Sequence, residues 1–479
     1  MKSLFVLPLL IVGVSLIPSI RVIAQSYSTL YNFTTATNLS NTDGANPLGG
    51  IVLIGNRFYG TANQGGTSGK GTLFSIHTNG ITFTNLHSFA AFQNGTNSDG
   101  ANPSAGFAVG GGTLFGSASQ GGASSAGSIF SIRTNGTSFT NLYNFAPLIN
   151  GTNTGGAIPQ ANLILSGNML YGAASLGGAA SVGTLFRIHT NGTGFTVLHN
   201  FSPILSSAQT NSDGAYPDTG LIVAGGKLYG AAYGGGAAGS GTVFSINTNG
   251  TGFTTLHSFA PVQNNTNSNG ANPNFYSGFA VADGTLYGTT YNGGNVGAGT
   301  VFSIKTNGTG FTTLHSFNPA TDAANPHGGV ILSSNLLYGT TYGGGISNKG
   351  TIFQIATNGT SFAILHKFNA ALDGANPIAG VLLLDTNLFG VTSAGGTSGN
   401  GTVFKYSLPP PSLTIVRAAT NVVVTWPIDR AAGFTLQFTT NLAPSTIWSN
   451  VSPAPTIING KYTVTNPITG TQRFYQLRK

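Results

Sequence analysis

The side chains that could do acid–base chemistry are few, and most of them recur. The chain has nine Asp and no Glu, and five aspartates occupy one position of an internal repeat: Asp43, Asp99, Asp213, Asp322 and Asp373. A residue that recurs in most units is expected to be structural, and Asp in a turn can bond its own backbone. Calcium in oxygen-rich loops is the alternative for these aspartates, and we expect no other cofactor. Glycoside hydrolysis usually needs two carboxylates about 5 to 10 Å apart, so the sequence disfavours it.

The histidines and the lack of cysteine narrow the chemistry further. Five of the eight histidines recur two residues before a phenylalanine: His87, His199, His257, His315 and His366. Tyrosine takes this place in two other units, and a flat ring suits packing better than metal binding. No Cys is present, and no phosphate loop, nucleophile elbow or zinc motif occurs. We therefore predict no catalytic residue and favour a protein that is not an enzyme.

A candidate binding site arises because three consecutive repeats depart from the others. Each has a tyrosine where the other repeats have Asn or Ser, and Asp, Asn or His just after a recurring proline. Aromatic rings beside a few polar groups suit a sugar or another small ligand. The predicted ligand-binding residues are Asp218, Tyr233, Asn274, Phe275, Tyr276, Tyr291, His327 and Tyr342. The alternative is that these tyrosines pack between adjacent repeats.

The repeat itself indicates the elements that must position these residues. A loop proline recurs at spacings of 56, 56, 58, 56, 53 and 51 residues. Its seven positions are Pro47, Pro103, Pro159, Pro217, Pro273, Pro326 and Pro377. An aromatic–Gly pair, a Gly-Thr/Ser-aliphatic-Phe run and a Leu-His/Tyr-x-Phe run follow in each unit. Such regular recurrence is the signature of a repeat architecture.

Each unit is expected to contain four short strands. In one unit we predict strands at Gly278–Ala282, Thr285–Tyr291, Gly299–Lys305 and Phe311–Phe317. The third and fourth strands are joined by Asn-Gly, which is a strong hairpin signal and predicts a type I′ turn. Because strands alternate in direction, the loops after the second and fourth strands share one face, which we call the loop face.

The two ends of the repeat region indicate closure. The region opens with a lone fourth strand, Ser26–Phe33, and ends on a lone third strand, Gly401–Tyr406. These two strands complete one unit only if the ends meet, which would remove open sheet edges. We therefore predict an all-β protein. We expect a seven-bladed β-propeller of four-stranded blades whose N-terminal strand closes the last blade, followed by a small C-terminal β-sandwich.

The predicted domains follow from composition along the chain. Residues 1–24 have a positive start, an apolar run and a small-residue cleavage site, so we predict a signal peptide and a secreted or cell-surface protein. The propeller takes residues 25–406, and residues 407–411 form a Pro-rich linker. Residues 412–479 contain both tryptophans and several short apolar runs, which indicate a fibronectin- or immunoglobulin-like sandwich.

Charge is concentrated in the tail. Residues 26–406 have nine Lys/Arg against eight Asp, whereas residues from 407 onward have six Lys/Arg against Asp429 alone. Nucleic-acid binding needs a cationic patch that the large domain lacks, so we exclude nucleic acid as a partner. No later run is long and apolar enough to cross a bilayer, so the mature chain is not expected to span a membrane. We expect a monomer.

The repeat resembles the GloVer tandem repeat of secreted bacterial proteins in its Gly-Thr-Leu-Tyr-Gly, Gly-Thr-Val-Phe-Ser-Ile and Thr-Leu-His-Ser-Phe runs. It is also similar to kelch blades, with Phe where kelch commonly has Trp. The resemblance covers about residues 26–406 and implies a propeller fold, but it implies almost nothing about chemistry. The two-domain architecture also resembles that of galactose oxidase, whose Tyr–Cys cofactor a chain without Cys cannot form.

These observations favour a non-catalytic binding or scaffold module outside the cell. The expected partner is an extracellular polysaccharide or a cell-surface component. The alternative is an extracellular carbohydrate-active enzyme that uses the loop face. Loops of variable length on a rigid scaffold are where binding usually occurs, and the loop face has almost all the length variation.

Overall fold

A computed structural model describes residues 26–205, 209–273, 278–409, 411–428, 434–442, 447–468 and 472–478. These residues form an all-β protein with no α-helix, and one short 3-10 turn lies at Ile346–Asn348. The predicted signal peptide lies outside the described residues. In the part of the chain that is described, no helix has the length and apolarity that a membrane crossing requires.

The described repeat region folds into seven four-stranded antiparallel sheets, which we number along the chain. Sheet 1 has β2 (Val52–Ile54), β3 (Arg57–Ala62), β4 (Thr72–His77) and β5 (Phe83–Ser88). Sheet 2 has β6 (Ala108–Gly110), β7 (Thr113–Ala118), β8 (Ser128–Arg133) and β9 (Thr140–Asn144). Sheet 3 has β10 (Ile164–Ser166), β11 (Met169–Ala174), β12 (Thr184–His189) and β13 (Thr196–Asn200). Sheet 4 has β14 (Ile222–Ala224), β15 (Lys227–Ala232), β16 (Thr242–Asn247) and β17 (Thr254–Ser258).

The last three sheets of the repeat region follow the same order. Sheet 5 has β18 (Ala280–Ala282), β19 (Thr285–Thr290), β20 (Thr300–Lys305) and β21 (Thr312–Ser316), close to the predicted strands. Sheet 6 has β22 (Ala323–Ser333), β23 (Leu336–Gly344), β24 (Thr351–Ala356) and β25 (Ala363–Lys367). Sheet 7 has β26 (Leu382–Leu384), β27 (Asn387–Thr392), β28 (Thr402–Ser407) and β1 (Ser26–Asn32).

Sheet 7 joins the two ends of the repeat region, as the two lone strands predict. Strand β1 pairs antiparallel with β28, from Ser26 opposite Ser407 to Asn32 opposite Thr402. Strand β28 runs one residue beyond the expected end, and Leu408, in the predicted linker, packs into the core at 3% exposure.

Apolar cores fill the spaces between consecutive sheets. Each core combines rings and aliphatic side chains from two neighbouring sheets, because the sheets are hydrophobic on both faces. The core between sheets 7 and 1 has the same composition: Phe58 of sheet 1 lies 4.6 Å from Phe389 of sheet 7, between ring centroids. Each of the seven sheets therefore shares a core with two others.

The residue before each loop proline links neighbouring sheets through the backbone. Asn102 donates its N–H to the carbonyl of Lys70 in the preceding sheet at 2.8 Å, and Asn46 donates to Asn400 at 2.9 Å, from sheet 1 to sheet 7. The seven donors are Asn46, Asn102, Ile158, Tyr216, Asn272, Asn325 and Asn376. All seven have φ between +55° and +59°, a region that Asn tolerates better than branched residues.

The recurring histidines and aspartates bond to each other. His87 Nε2 lies 2.9 Å from Asp99 Oδ2, and the same carboxylate accepts the N–H of Ala90 at 3.1 Å. The imidazole also stacks on Phe139 of the next sheet, with centroids 4.0 Å apart. Equivalent His–Asp contacts occur in three more sheets. These residues tie the fourth strand to the following loop and to the next sheet.

The predicted type I′ turns are wrong. In the turn after β8, Gly136 has a φ of +84°, whereas Asn135 is not among the residues of positive φ. The Gly136 N–H donates to Arg133 at 2.9 Å, and Asn135 Oδ1 accepts the N–H of Thr137 at 3.1 Å. This is a type I turn followed by a glycine in the left-handed region, which is the next most common hairpin connection.

Two further sheets lie in the C-terminal region. One contains β29 (Thr414–Ala418), β30 (Asn421–Pro427), β34 (Lys461–Pro467) and β33 (Thr456–Ile458). The other contains β32 (Ser449–Asn450), β31 (Thr435–Thr439) and β35 (Phe474–Arg478). Val424, Trp426, Leu436 and Val464 form a buried cluster between the two, separate from the cores of the repeat region.

Candidate functional site

The three tyrosines occupy equivalent loop positions in consecutive sheets. Tyr233 and Tyr291 directly follow the second strands β15 and β19, and Tyr342 lies near the end of β23. Each is fixed from the neighbouring sheet, because an asparagine amide donates to the tyrosine carbonyl. Asn272 reaches Tyr233 at 3.0 Å and Asn325 reaches Tyr291 at 2.9 Å.

The same geometry holds for the third tyrosine, where Asn376 donates to the Tyr342 carbonyl at 2.9 Å. In the first two loops the tyrosine N–H is also fixed, since Tyr291 donates to Asn272 and Tyr233 donates to Tyr216, each at 3.0 Å. The backbone under the three rings is thus held by the same contact that Asn102 makes with the Asn63 carbonyl in another repeat. The tyrosine side chains are what distinguish these three loops.

The rings are not fully buried between sheets. Tyr342 is 36% exposed, and Tyr233 and Tyr291 are each half-buried. Packing between adjacent repeats, the alternative interpretation, therefore accounts for only part of each ring. Exposed aromatic faces fixed by a rigid backbone can stack on the apolar face of a sugar or another flat ligand.

These loop residues contact the residue after the proline of the next sheet and, at Ser175–Gln160 and Tyr342–His327, also that of their own sheet. Asn63 donates to Ser104 Oγ at 3.0 Å, and Tyr291 lies edge-on to His327 with ring centroids 5.4 Å apart. Asp218 likewise adjoins Ser175 of the preceding sheet. Sequence reasoning grouped Asp218 with Tyr233 of its own repeat, and so it missed Ser175.

The tyrosines and the polar residues nevertheless form one continuous arc. His327 lies between two of the rings, 5.4 Å from Tyr291 and 6.4 Å from Tyr342. The Asp218 charge acts on Tyr233, and Tyr291 is electrostatically coupled to both other tyrosines. We call Asp218, Tyr233, Tyr291, His327 and Tyr342 the aromatic arc. The other predicted members, Asn274, Phe275 and Tyr276, lie outside the described residues.

Burial leaves the arc largely uncharged. The Asp218 Oδ1 atom is inaccessible to solvent and has no hydrogen-bond partner. Desolvation raises the pKa of Asp218 to about 7, although hydrogen bonding with Ser175 opposes the shift. Desolvation also lowers the pKa of His327 to about 4 and raises the pKa of the Tyr233 and Tyr291 hydroxyls. Between about pH 4 and pH 7 the arc therefore presents neutral donors and acceptors.

A cleft of about 470 Å³ adjoins the arc at Tyr342 and extends between sheets 7 and 1. We call it the sheet 7–1 cleft. Its lining is Asn46, Leu48, Gln64, Tyr342, Asn376, Ile378, Ser393, Ala394, Gly399 and Asn400. Sequence reasoning missed it, since these residues conform to their repeats and the first and last repeats come together only through the β1–β28 pairing.

Neither the arc nor the recurring aspartates assemble a metal centre in the described structure. No group of three His, Asp or other ionisable ligands converges among the described residues. The aspartate carboxylates instead accept bonds from rings and backbone N–H groups, such as Tyr31 and Thr34 on Asp43 at 2.7 and 2.9 Å. Calcium at these loops stays an untested prediction.

Comparison with known families decides what kind of repeat this is. A family model described as the Gloeobacter/Verrucomicrobia repeat matches residues 20–207, 152–274 and 261–441. The chain belongs to the Gloeobacter/Verrucomicrobia repeat family. The first resemblance drawn from the sequence is thereby confirmed. No curated protein matches the chain.

Several solved structures match this Gloeobacter/Verrucomicrobia repeat protein at low identity. An oligogalacturonate lyase in complex with manganese is 11% identical, with a TM-score of 0.46 over 81% of this chain and 97% of that chain. A puromycin hydrolase mutant complexed with PGG is 12% identical, with a TM-score of 0.43 over 81% and 59%. The tricorn protease is 14% identical, with a TM-score of 0.40 over 80% and 33%. At these identities nothing about their ligands is carried to this chain.

Membership of the Gloeobacter/Verrucomicrobia repeat family accounts for what the repeats share. The backbone bonds from the residue before each loop proline, the His–Asp contacts and the inter-sheet cores recur around the repeat region. The aromatic arc is where three repeats depart from that shared pattern. A departure confined to one sector of a repeat scaffold is where a specific function is expected.

Proposed function

We propose that the seven sheets close into a seven-bladed β-propeller and that residues 412–479 form a separate β-sandwich. Three contacts support closure: the β1–β28 ladder, which joins the two ends of the repeat region within sheet 7, and the Phe58–Phe389 core and the Asn46–Asn400 bond between sheets 7 and 1. A shared core and a backbone bond of the same kind occur between every other pair of consecutive sheets. The Trp426 cluster supports a second, independent core.

We propose that this chain is a secreted or cell-surface protein that binds an extracellular glycan without cleaving it. The leader-like residues 1–24 support export. The observation that carries the binding function is the aromatic arc, in which three half-exposed tyrosines lie side by side on backbone fixed by neighbouring sheets. Rigid aromatic platforms bind with little loss of conformational entropy.

Binding is favoured over catalysis by the carboxylates around the arc. Hydrolysis of a glycoside usually requires an acid and a second carboxylate within about 10 Å. Asp218 is the one carboxylate of the arc as described, whereas Asp99 and Asp213 are engaged by His87 and His199 in the repeat framework. A lone carboxyl group, kept neutral by burial, can donate or accept a hydrogen bond but lacks its catalytic partner.

The test is retention of the purified chain on insoluble and gel-embedded polysaccharides, with reducing-end release measured on the same samples. We expect retention on at least one polysaccharide with no release of sugar above the blank. Tyr291→Ala should weaken retention, whereas Ser119→Ala, at the same loop position of sheet 2, should not. Release of sugar that is lost in Asp218→Asn would favour the enzyme alternative. No retention on any polysaccharide would refute glycan binding.

A further inference from the structure

The aromatic arc and the sheet 7–1 cleft share a wall, which is Tyr342. Its ring centroid lies 6.4 Å from that of His327, and Tyr342 is also among the residues that line the cleft. The cleft volume of about 470 Å³ is within the range of about 300 to 1,000 Å³ typical of small-ligand sites. The exposed surface therefore continues from the rings of sheets 4 to 6 into sheets 7 and 1.

The loops beside this shared wall are shorter than the others. In most repeats the loop after the fourth strand has a bridged tip, such as Thr37 with Ser40 or Gln93 with Thr96. The two loops that flank sheet 6 make a tight turn instead, in which the N–H groups of Asp322 and Asp373 donate to the carbonyls of Asn318 and Asn369. These two loops therefore lack the bridged tip, and a long ligand is expected to extend past them.

The chemistry of the cleft suits hydroxyl groups. Its polar lining is made of amides and a hydroxyl, Asn46, Gln64, Asn376, Ser393 and Asn400, and no charged side chain is among its lining residues. Asn and Gln amides offer donors and acceptors together, as sugar hydroxyls require. Anionic sugars are usually bound through Arg or Lys, which pair with carboxylate or phosphate.

We propose that the ligand is an internal segment of a linear, uncharged polysaccharide that runs from the aromatic arc past Tyr342 into the sheet 7–1 cleft. This inference rests on the proposed glycan binding and adds the charge, the length and the path of the chain. The neutral state of Asp218 and His327 between about pH 4 and pH 7 agrees with an uncharged ligand. A uronic acid would meet a buried carboxyl group at one end and, at the other, a cleft whose lining has no cation to pair with its charge.

The test measures the affinity of the purified chain for linear neutral oligosaccharides of two to six residues, built from β-1,4-glucose, xylose or mannose or α-1,4-glucose. Polygalacturonate and its carboxyl-reduced form provide a matched charged and neutral pair. We expect at least one hexasaccharide to bind about tenfold more tightly than its disaccharide. We also expect the reduced polymer to bind more tightly than the acidic polymer.

Two variants test the path of the polysaccharide through the cleft. Gln64 is exposed in the cleft, and Gln120 is exposed at the equivalent position of sheet 2. Gln64→Ala should weaken hexasaccharide binding about three- to tenfold and leave disaccharide binding unchanged, whereas Gln120→Ala should change neither.

Three results would overturn this inference. Equal affinity for di- and hexasaccharides, or no effect of Gln64→Ala while Tyr291→Ala abolishes binding, would confine the ligand to the arc and leave the proposed function intact. Preference for the acidic polymer would refute an uncharged ligand. Failure of every saccharide to bind, with the chain folded, would refute the proposed function together with this inference.

Discussion

Tyr27, near the start of the described chain, stacks on His366 with ring centroids 4.2 Å apart and an interplanar angle of 9°. The other sheets make the same contact through a phenylalanine, as Phe139 does on His87 at 4.0 Å and 9°. Tyr27 takes the place of that phenylalanine in sheet 7. The interface between sheets 6 and 7 is therefore completed by residues from the opposite end of the repeat region.

The stack predicts that the first strand is needed for stability. Tyr27→Ala should lower the free energy of unfolding by about 2 kcal/mol, because it removes a ring stack and buried apolar area. Phe139→Ala, the equivalent change between sheets 2 and 3, should cost a similar amount in chemical denaturation. Deletion of residues 26–33 should cost far more and cause aggregation through the exposed edge of β28. A deletion that unfolds like the parent would contradict ring closure.

Closure can also be captured covalently, since the chain has no Cys of its own. Ser26 and Ser407 are partners in the β1–β28 ladder. The double variant Ser26→Cys and Ser407→Cys should form an intramolecular disulfide under mild oxidation, because antiparallel partners lie within disulfide reach. Faster migration on a non-reducing gel, reversed by reductant, would report it. If maleimide labelling detects free thiols in a folded double variant, the two ends of the repeat region do not meet.

A second prediction on stability concerns the position before the loop proline. Ile158 has a φ of +59°, where a β-branched side chain is strained, whereas Asn102 has +55° and also bonds the carbonyl of Asn63 at 3.0 Å. Ile158→Asn should stabilise the protein by about 1 kcal/mol by relieving strain and restoring that bond. Asn102→Ile should destabilise it in the same denaturation assay. A loss of stability in Ile158→Asn would mean that its apolar packing outweighs the strain.

Much of the fold could be predicted from the sequence. Strand β19 begins at the predicted Thr285, and β1 pairs with β28 as the two lone strands required. Repetition made this possible, because seven copies of one pattern separate shared framework residues from local exceptions. The His–Asp contacts escaped sequence reasoning although both residues were noted. They lie 12 residues apart in the His87–Asp99 pair, across a loop whose path no local rule gives.

The candidate site was harder to predict for a geometric reason. A loop residue meets the next sheet, so Ser175 adjoins Asp218 and Tyr291 adjoins His327. That offset depends on how consecutive sheets pack against one another. The turn type was also wrongly predicted, because Asn-Gly fits a type I turn in which the glycine alone has a positive φ, as at Gly136.

The buried Asp218 carboxyl group predicts a pH dependence of stability. Its pKa is about 7 when folded, against an ordinary value near 4, so the folded state holds the proton more tightly. Its contribution to stability is therefore complete below about pH 4 and is lost as pH rises through 7. Asp218→Asn should gain stability relative to the parent between pH 4 and 8, by up to about 4 kcal/mol. A difference in melting temperature that is constant over this range would contradict a buried, protonated carboxyl group.

The central claim is that the three tyrosines together bind a glycan, and a calorimetric titration of variants tests it most directly. The titrant is whichever polysaccharide retains the parent chain. Tyr233→Ala, Tyr291→Ala and Tyr342→Ala should each reduce affinity about tenfold or more, since each removes a stacking ring. Tyr291→Phe should retain most of it, and Ser119→Ala should match the parent. Full affinity in the triple alanine variant, with an unchanged melting temperature, would contradict the account.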